Sequence, residues 1–190
     1  MTRIILLLSL FLFSCSESTQ KKSPNITDVK SEYVLKNYID DSGNSTPNNY
    51  IVHSTYFKGN YSDRIAADQP ARATLSFDKD NVWFELFKGR NKLPFAIEGE
   101  KELPFLIRVK DSVGKLHTLN ASIYPKDYSN SRVVFHSYKN HDKKFKKLLR
   151  ENNEVIVVFR AQGPMTDYDY GTRFIFKIPR ENFSDLIDQL

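Results

Sequence analysis

From Tyr50 onward, short apolar or alternating runs recur every 8 to 15 residues and are separated by turn-forming residues. The runs fall at about 50–58, 71–77, 82–88, 104–110, 115–123, 131–138, 154–161 and 172–178. Their length and period-two alternation predict β-strands. Turn chemistry punctuates them at Asp78-Lys79-Asp80-Asn81, Gly89-Arg90-Asn91, Asp111-Ser112-Val113-Gly114 and Gly163-Pro164. Alternation places Val82, Phe84 and Leu86 on one face of their strand and Trp83, Glu85 and Phe87 on the other. Phe174, Phe176 and Ile178 likewise oppose Arg173, Ile175 and Lys177, which describes a strand with one buried face. The run Val155 to Phe159 is apolar on both faces and is expected at the centre of a sheet.

Two segments change period. Asp142 to Arg150 sets Phe145, Leu148 and Leu149 on one helical stripe, and Arg180 to Leu190 does the same with Phe183, Leu186, Ile187 and Leu190. The second is expected to cover an open side or end of the sheet. The predicted fold is therefore mostly β: a β-sandwich or sandwich-like open barrel of seven to nine antiparallel strands with two short helices.

Residues 16–49 differ from the rest. Ser, Thr, Asn, Lys and Asp dominate, and such stretches do not bury enough apolar area to offset chain entropy. Val29, Tyr33, Val34, Leu35, Tyr38 and Ile39 interrupt this polarity and permit a short helix or strand. The expected organisation is a signal segment at 1–14, a flexible tether at 15–49 with a reach of about 30 Å, and one β-rich domain at 50–190.

The first residues carry a more specific pattern. Met1 to Arg3 supply one positive charge, and Ile4 to Phe13 form an apolar run with a single Ser. As a helix that run reaches about 15 Å, half of a ~30 Å bilayer core, so it is too short to span and reads as the apolar part of a signal peptide. Leu12-Phe13-Ser14-Cys15 follows, with an aliphatic residue at −3, a small one at −1 and then the only Cys of the chain. This resembles the lipobox of bacterial lipoproteins. The resemblance covers residues 1–15 and implies cleavage before Cys15, a thioether diacylglycerol on its sulfur and acylation of the new amine. The alternative is a plain secretory signal with an incidental Cys. Two or three acyl chains hold a protein stably at a membrane without a span. The expected location is the bacterial cell envelope, lipid-anchored, on the periplasmic or cell-surface side.

Composition narrows the chemistry. A single Cys in 190 residues excludes a disulfide framework and any multi-thiolate metal site. The net charge is +5, but the excess is local. Residues 142–150 hold Lys143, Lys144, Lys146, Lys147 and Arg150 against Asp142, net +4. That helix is a candidate contact for anionic head groups or an acidic partner protein, and otherwise a solvated face. A nucleic-acid partner is not expected, because the basic charge is not spread over a docking surface.

No catalytic signature is present. His53, His117, His136 and His141 lack zinc-ligand spacing, and there is no Gly-x-Ser-x-Gly, phosphate-cradling loop or dinucleotide fingerprint. Glu98, Glu100 and Glu102, and the acidic turns Asp78-x-Asp80 and Asp167-x-Asp169, are read as solvated turns. The remaining candidate is the segment Gly163 to Gly171, where Tyr168 and Tyr170 flank Asp169 between two apolar strands and offer contact area on a rigid base. The expected function is a non-catalytic envelope lipoprotein that binds a protein or glycan and needs no cofactor or metal. The alternatives are a periplasmic inhibitor or immunity-type protein and, less favoured, an unrecognised hydrolase.

Overall fold

The computed structural model describes residues 31–63, 66–88, 91–92, 103–123, 132–161 and 172–190. The described strands are β1 (Tyr33–Ile39), β2 (Ser45–His53), β3 (Phe57–Ser62), β4 (Gln69–Phe77), β5 (Val82–Lys88), β6 (Asn91–Lys92), β7 (Leu103–Lys110), β8 (Leu116–Ile123), β9 (Arg132–Phe135), β10 (Glu154–Ala161) and β11 (Arg173–Pro179). Helix α1 spans His141–Glu151, and the C-terminal segment forms α2 (Phe183–Leu186) followed by a single 3₁₀ turn.

All strand pairs are antiparallel, and the sheet closes on itself. The ring runs β4-β3-β11-β10-β7-β8-β9-β5 and returns through the β4–β5 pairing, giving an eight-stranded barrel. The expectation of a sandwich or open barrel is thus corrected to a closed one, and the strands exceed nine because β1, β2 and β6 lie outside the ring. Closure removes the exposed edges that an open sheet would present.

The barrel is filled. Leu75, Phe84, Ile107, Leu119, Val157 and Phe174 are each fully buried from different strands, and together with their inward-facing neighbours form one core. Phe84 meets Phe159 edge-on at 4.9 Å, and Phe159 meets Phe176 at 6.1 Å. Gly59 of β3 faces Phe176 of β11, and a Cβ there would overlap the Phe176 ring and the Ile175 carbonyl. The glycine lets the large ring fit inside a small barrel.

One end of the barrel is plugged. Phe145 of α1 packs on Phe77, Phe84 and Phe135 at 5.0–6.3 Å between ring centroids. Phe183 of α2 is fully buried, 4.6 Å from Phe77. Leu186, Ile187 and Leu190 pack on the core from its edge. The C-terminal stripe therefore covers the barrel end as expected, but as a broken pair of short turns rather than one helix.

The tether expectation is corrected for residues 31–49. Tyr33 is 1% exposed and clasped by the C-terminal segment: its N–H donates to Asn182 Oδ1 at 2.8 Å, its carbonyl accepts from Asn182 Nδ2 at 2.8 Å, and its hydroxyl donates to the Pro179 carbonyl at 3.1 Å. Beyond Tyr33, the β1–β2 hairpin leaves the barrel wall and is mostly solvated, which is why its sequence is polar. Its turn is closed by Asp40, whose carboxylate accepts from the backbone N–H of Ser42 and Asn44, while Gly43 takes the positive φ of +84°. Among the described residues, no helix is long and apolar enough to cross a membrane.

Candidate functional site

The flared hairpin creates a groove. β2 pairs with β4 only through Ile51↔Phe77 and Val52↔Ser76, so the hairpin stands off the outer wall formed by β4, β5 and β9. The space between is about 650 Å³ and open to solvent along its length. That volume lies within the range of small-molecule and cofactor sites.

Alternation places the lining. The residues opposite the core-facing set of β4, β5 and β9 are Thr74 and Ser76, Trp83 and Glu85, and Arg132 and Val134. Register lays them in two rows across the wall, Val52–Ser76–Trp83–Val134 and Thr74–Glu85–Arg132. The hairpin adds Tyr38 and Tyr50 to the lining, with ring centroids 4.9 Å apart. A bulge aims Tyr38. Between the Asn37↔Asn49 and Ile39↔Ser45 pairs, β1 has one residue, Tyr38, and β2 has three, Thr46, Pro47 and Asn48. Pro47 fits there because a bulged residue need not donate to the ladder.

The charges of the groove are internally matched. Arg132 Nε donates to Glu85 Oε1 at 3.1 Å, and the guanidinium lies 5.7 Å from the Trp83 ring centre. The Asp78 carboxylate accepts from Tyr38 Oη at 3.0 Å, from Asn81 Nδ2 and from the backbone N–H of Asp80 and Asn81. Burial and the adjacent Asp78 charge push the Tyr38 phenol up to about 12, so it stays protonated and remains a donor. The surface left for a ligand is aromatic faces, the half-buried Thr74 hydroxyl and amides, with Ser76 buried beneath them.

Past the Tyr38–Asp78 contact lies a second depression of about 410 Å³. Its lining is more polar, with Pro47, Asn48 and Asn49 from the bulged strand, Lys79 from the β4–β5 turn, and Gln189 from the C-terminal turn.

The residues singled out from sequence are distributed differently. Cys15, Tyr168, Asp169 and Tyr170 lie outside the described residues. The basic residues of α1 do not act as one patch. Lys146 Nζ turns inward and donates to the Asp78 and Lys79 carbonyls at 2.6 and 3.0 Å, with burial lowering its pKa. Arg150 forms a two-point ion pair with Asp188 at 2.8 and 3.0 Å, and Lys147 approaches Glu151 at 3.7 Å. Lys143 and Lys144 are exposed. Asp78, read from sequence as a turn residue, does cap its turn and also shapes the groove.

Trp83, Tyr38, Tyr50 and Arg132 were not expected as a site. The signal was in the alternation, which puts Trp83 on the face away from the core, but the hairpin that covers it has a polar sequence. Two serine–histidine contacts exist among the described residues: Ser31 Oγ lies 3.5 Å from His53 Nε2, which is 2.9 Å from Glu181 Oε2, and Ser122 Oγ lies 2.6 Å from His136 Nε2, whose Nδ1 lies 3.1 Å from Tyr138 Oη. Ser122 is fully buried, so its hydroxyl faces no substrate. Among the described residues, no three His, Cys, Asp or Glu side chains converge as a metal set.

Comparison with known proteins finds no match: no family model, no curated protein and no solved structure is similar to this chain.

Proposed function

We propose that this protein is a lipid-anchored bacterial envelope module that binds its partner in the groove between the β1–β2 hairpin and the outer wall of the barrel. The observation that carries the location is the gathering of three aromatic side chains, Tyr38, Tyr50 and Trp83, in the lining of one groove. A packed interior supports the same reading, because the side chains that fill the barrel leave recognition to its surface. A non-catalytic role is favoured by the carboxylates at hand: Asp78 and Glu85 are both held in hydrogen bonds that fix the groove's own structure. The anchor rests on the lipobox-like Leu12 to Cys15 and on the absence of any other Cys.

The test uses the full chain in native membranes. Wild type should incorporate labelled palmitate and Cys15→Ser should not. A photoreactive residue at Ile39, which is 67% exposed on the groove rim, should give a discrete cross-linked species. The same residue at Lys177, exposed on the outer face of β11, should give none. Lipid label on Cys15→Ser would refute the anchor, and equal cross-linking at both positions would refute the groove.

A further inference from the structure

We propose that the ligand of this groove is a neutral linear oligosaccharide, held at the Tyr38–Tyr50–Trp83 clamp and extending past Tyr38 into the amide-lined depression. The inference rests on the groove being the binding site and assigns the chemistry of its occupant.

Three observations converge. First, three aromatic rings, Tyr38, Tyr50 and Trp83, line the groove. The C–H bonds on a pyranose face carry partial positive charge and stack on the negative face of an aromatic ring, and rigid Tyr and Trp side chains offer that face at low entropic cost. Second, the charged groups of the groove are already engaged in the protein's own contacts. Arg132 is tied to Glu85, and Asp78 accepts from Tyr38, Asn81 and two backbone N–H groups. An anionic ligand would meet two carboxylates against one guanidinium, and a cationic one would compete with Arg132 for Glu85 and with the donors that already hold Asp78. A ligand that brings many hydroxyls and no charge disturbs neither.

Third, the site is longer than one ring. The groove and the second depression share Tyr38 and Asp78 as a common ridge. The far side presents Asn48, Asn49 and Gln189, amide groups that both donate to and accept from sugar hydroxyls or acetamido groups, beside the oppositely charged Lys79 and Asp80. The β2 bulge that swings Tyr38 over the ridge also delivers Asn48 to the far side. One backbone irregularity therefore builds both halves.

Trp83 is the only tryptophan of the chain, so its emission reports occupancy directly. The full chain in detergent is titrated with chito- and malto-oligosaccharides from di- to hexasaccharide. At least one series should shift Trp83 emission saturably, with affinity rising about tenfold or more from disaccharide to hexasaccharide as the second depression fills. Raising the salt from low to high should change that affinity less than about threefold, since no net charge is paired on binding. Tyr50→Ala should weaken it about tenfold, with near-ultraviolet circular dichroism showing the fold intact. Silence with every neutral chain, or a response to sulfated heparin fragments alone that salt abolishes, overturns the proposal. If Ile39 still cross-links a partner in that case, only the ligand class is wrong. If the Ile39 cross-link is absent as well, the groove itself is not the site.

Discussion

At the residue scale, chemically identical side chains have opposite roles. Five basic residues crowd α1, yet Lys146 is a structural strut while Lys143 and Lys144 are solvated. Its ammonium bridges two carbonyls of the β4–β5 turn, the turn whose Asp78 shapes the groove. Hydrogen bonds to a charged group are each worth about 1.5–3 kcal/mol, and partial exposure reduces that here. Lys146→Ala is expected to lower unfolding stability by about 2 kcal/mol, whereas Lys143→Ala and Lys144→Ala should stay within about 0.5 kcal/mol. Denaturant unfolding of the three variants checks this. Nothing in the local sequence separates Lys146 from its neighbours. Which of several lysines on a helix meets a carbonyl is set by the turn packed beside it, some 67 residues away in the chain.

At the element scale, the decisive piece is the hairpin that composition hides. Few apolar contacts secure the hairpin: the Tyr33 ring among His53, Phe57, Phe77 and Phe183, Leu35 packed on the core, and Ile51 buried within it. The distal part is held by backbone pairing, by the Tyr38–Asp78 hydrogen bond and by the Asp40 turn, which needs polar residues. A run rich in Asn, Ser and Asp therefore looks unstructured although it is ordered. The strands with one strongly apolar face, β4, β5, β10 and β11, were legible because each must bury that face whatever its partners. The bulge at Tyr38 was not, because it appears only when two strands are set in register. Tyr33→Ala should cost about 3–5 kcal/mol, the range for a large buried aromatic. Removing everything before Asn49 should abolish a cooperative melt followed by circular dichroism, because it deletes β1, half of β2 and the clasp on Asn182. An unchanged melt would show that the barrel does not need the hairpin.

At the scale of the whole molecule, closure is the property the chain order concealed. Hairpin neighbours such as β4–β5, β7–β8 and β10–β11 follow from short turns or proximity in sequence, but the pairs that complete the ring, β3 with β11, β7 with β10 and β5 with β9, join segments about 50 to 115 residues apart. Once the ring is shut and filled with Phe, Leu, Ile and Val, the inside holds the fold, and the proposed function assigns recognition to the outside. The two arms of the architecture then divide the work. α1 and the C-terminal turns seal one end, and the hairpin, tied to that same end through Tyr33, stands off the wall to form the groove.

The most direct measurement of this account is where a bound partner perturbs the protein. Backbone and methyl chemical shifts of the full chain in detergent are to be mapped with and without the partner that cross-links at Ile39. Changes are expected to be confined to Asn37 to Ile39, Asn48 to Tyr50, Thr74 to Lys79, Trp83, Glu85, Arg132 and Gln189, with the inward-facing methyl groups of β7, β8 and β10 unmoved. Shifts centred on the barrel interior or on the outer face of β10 and β11, with Trp83 silent, would contradict it.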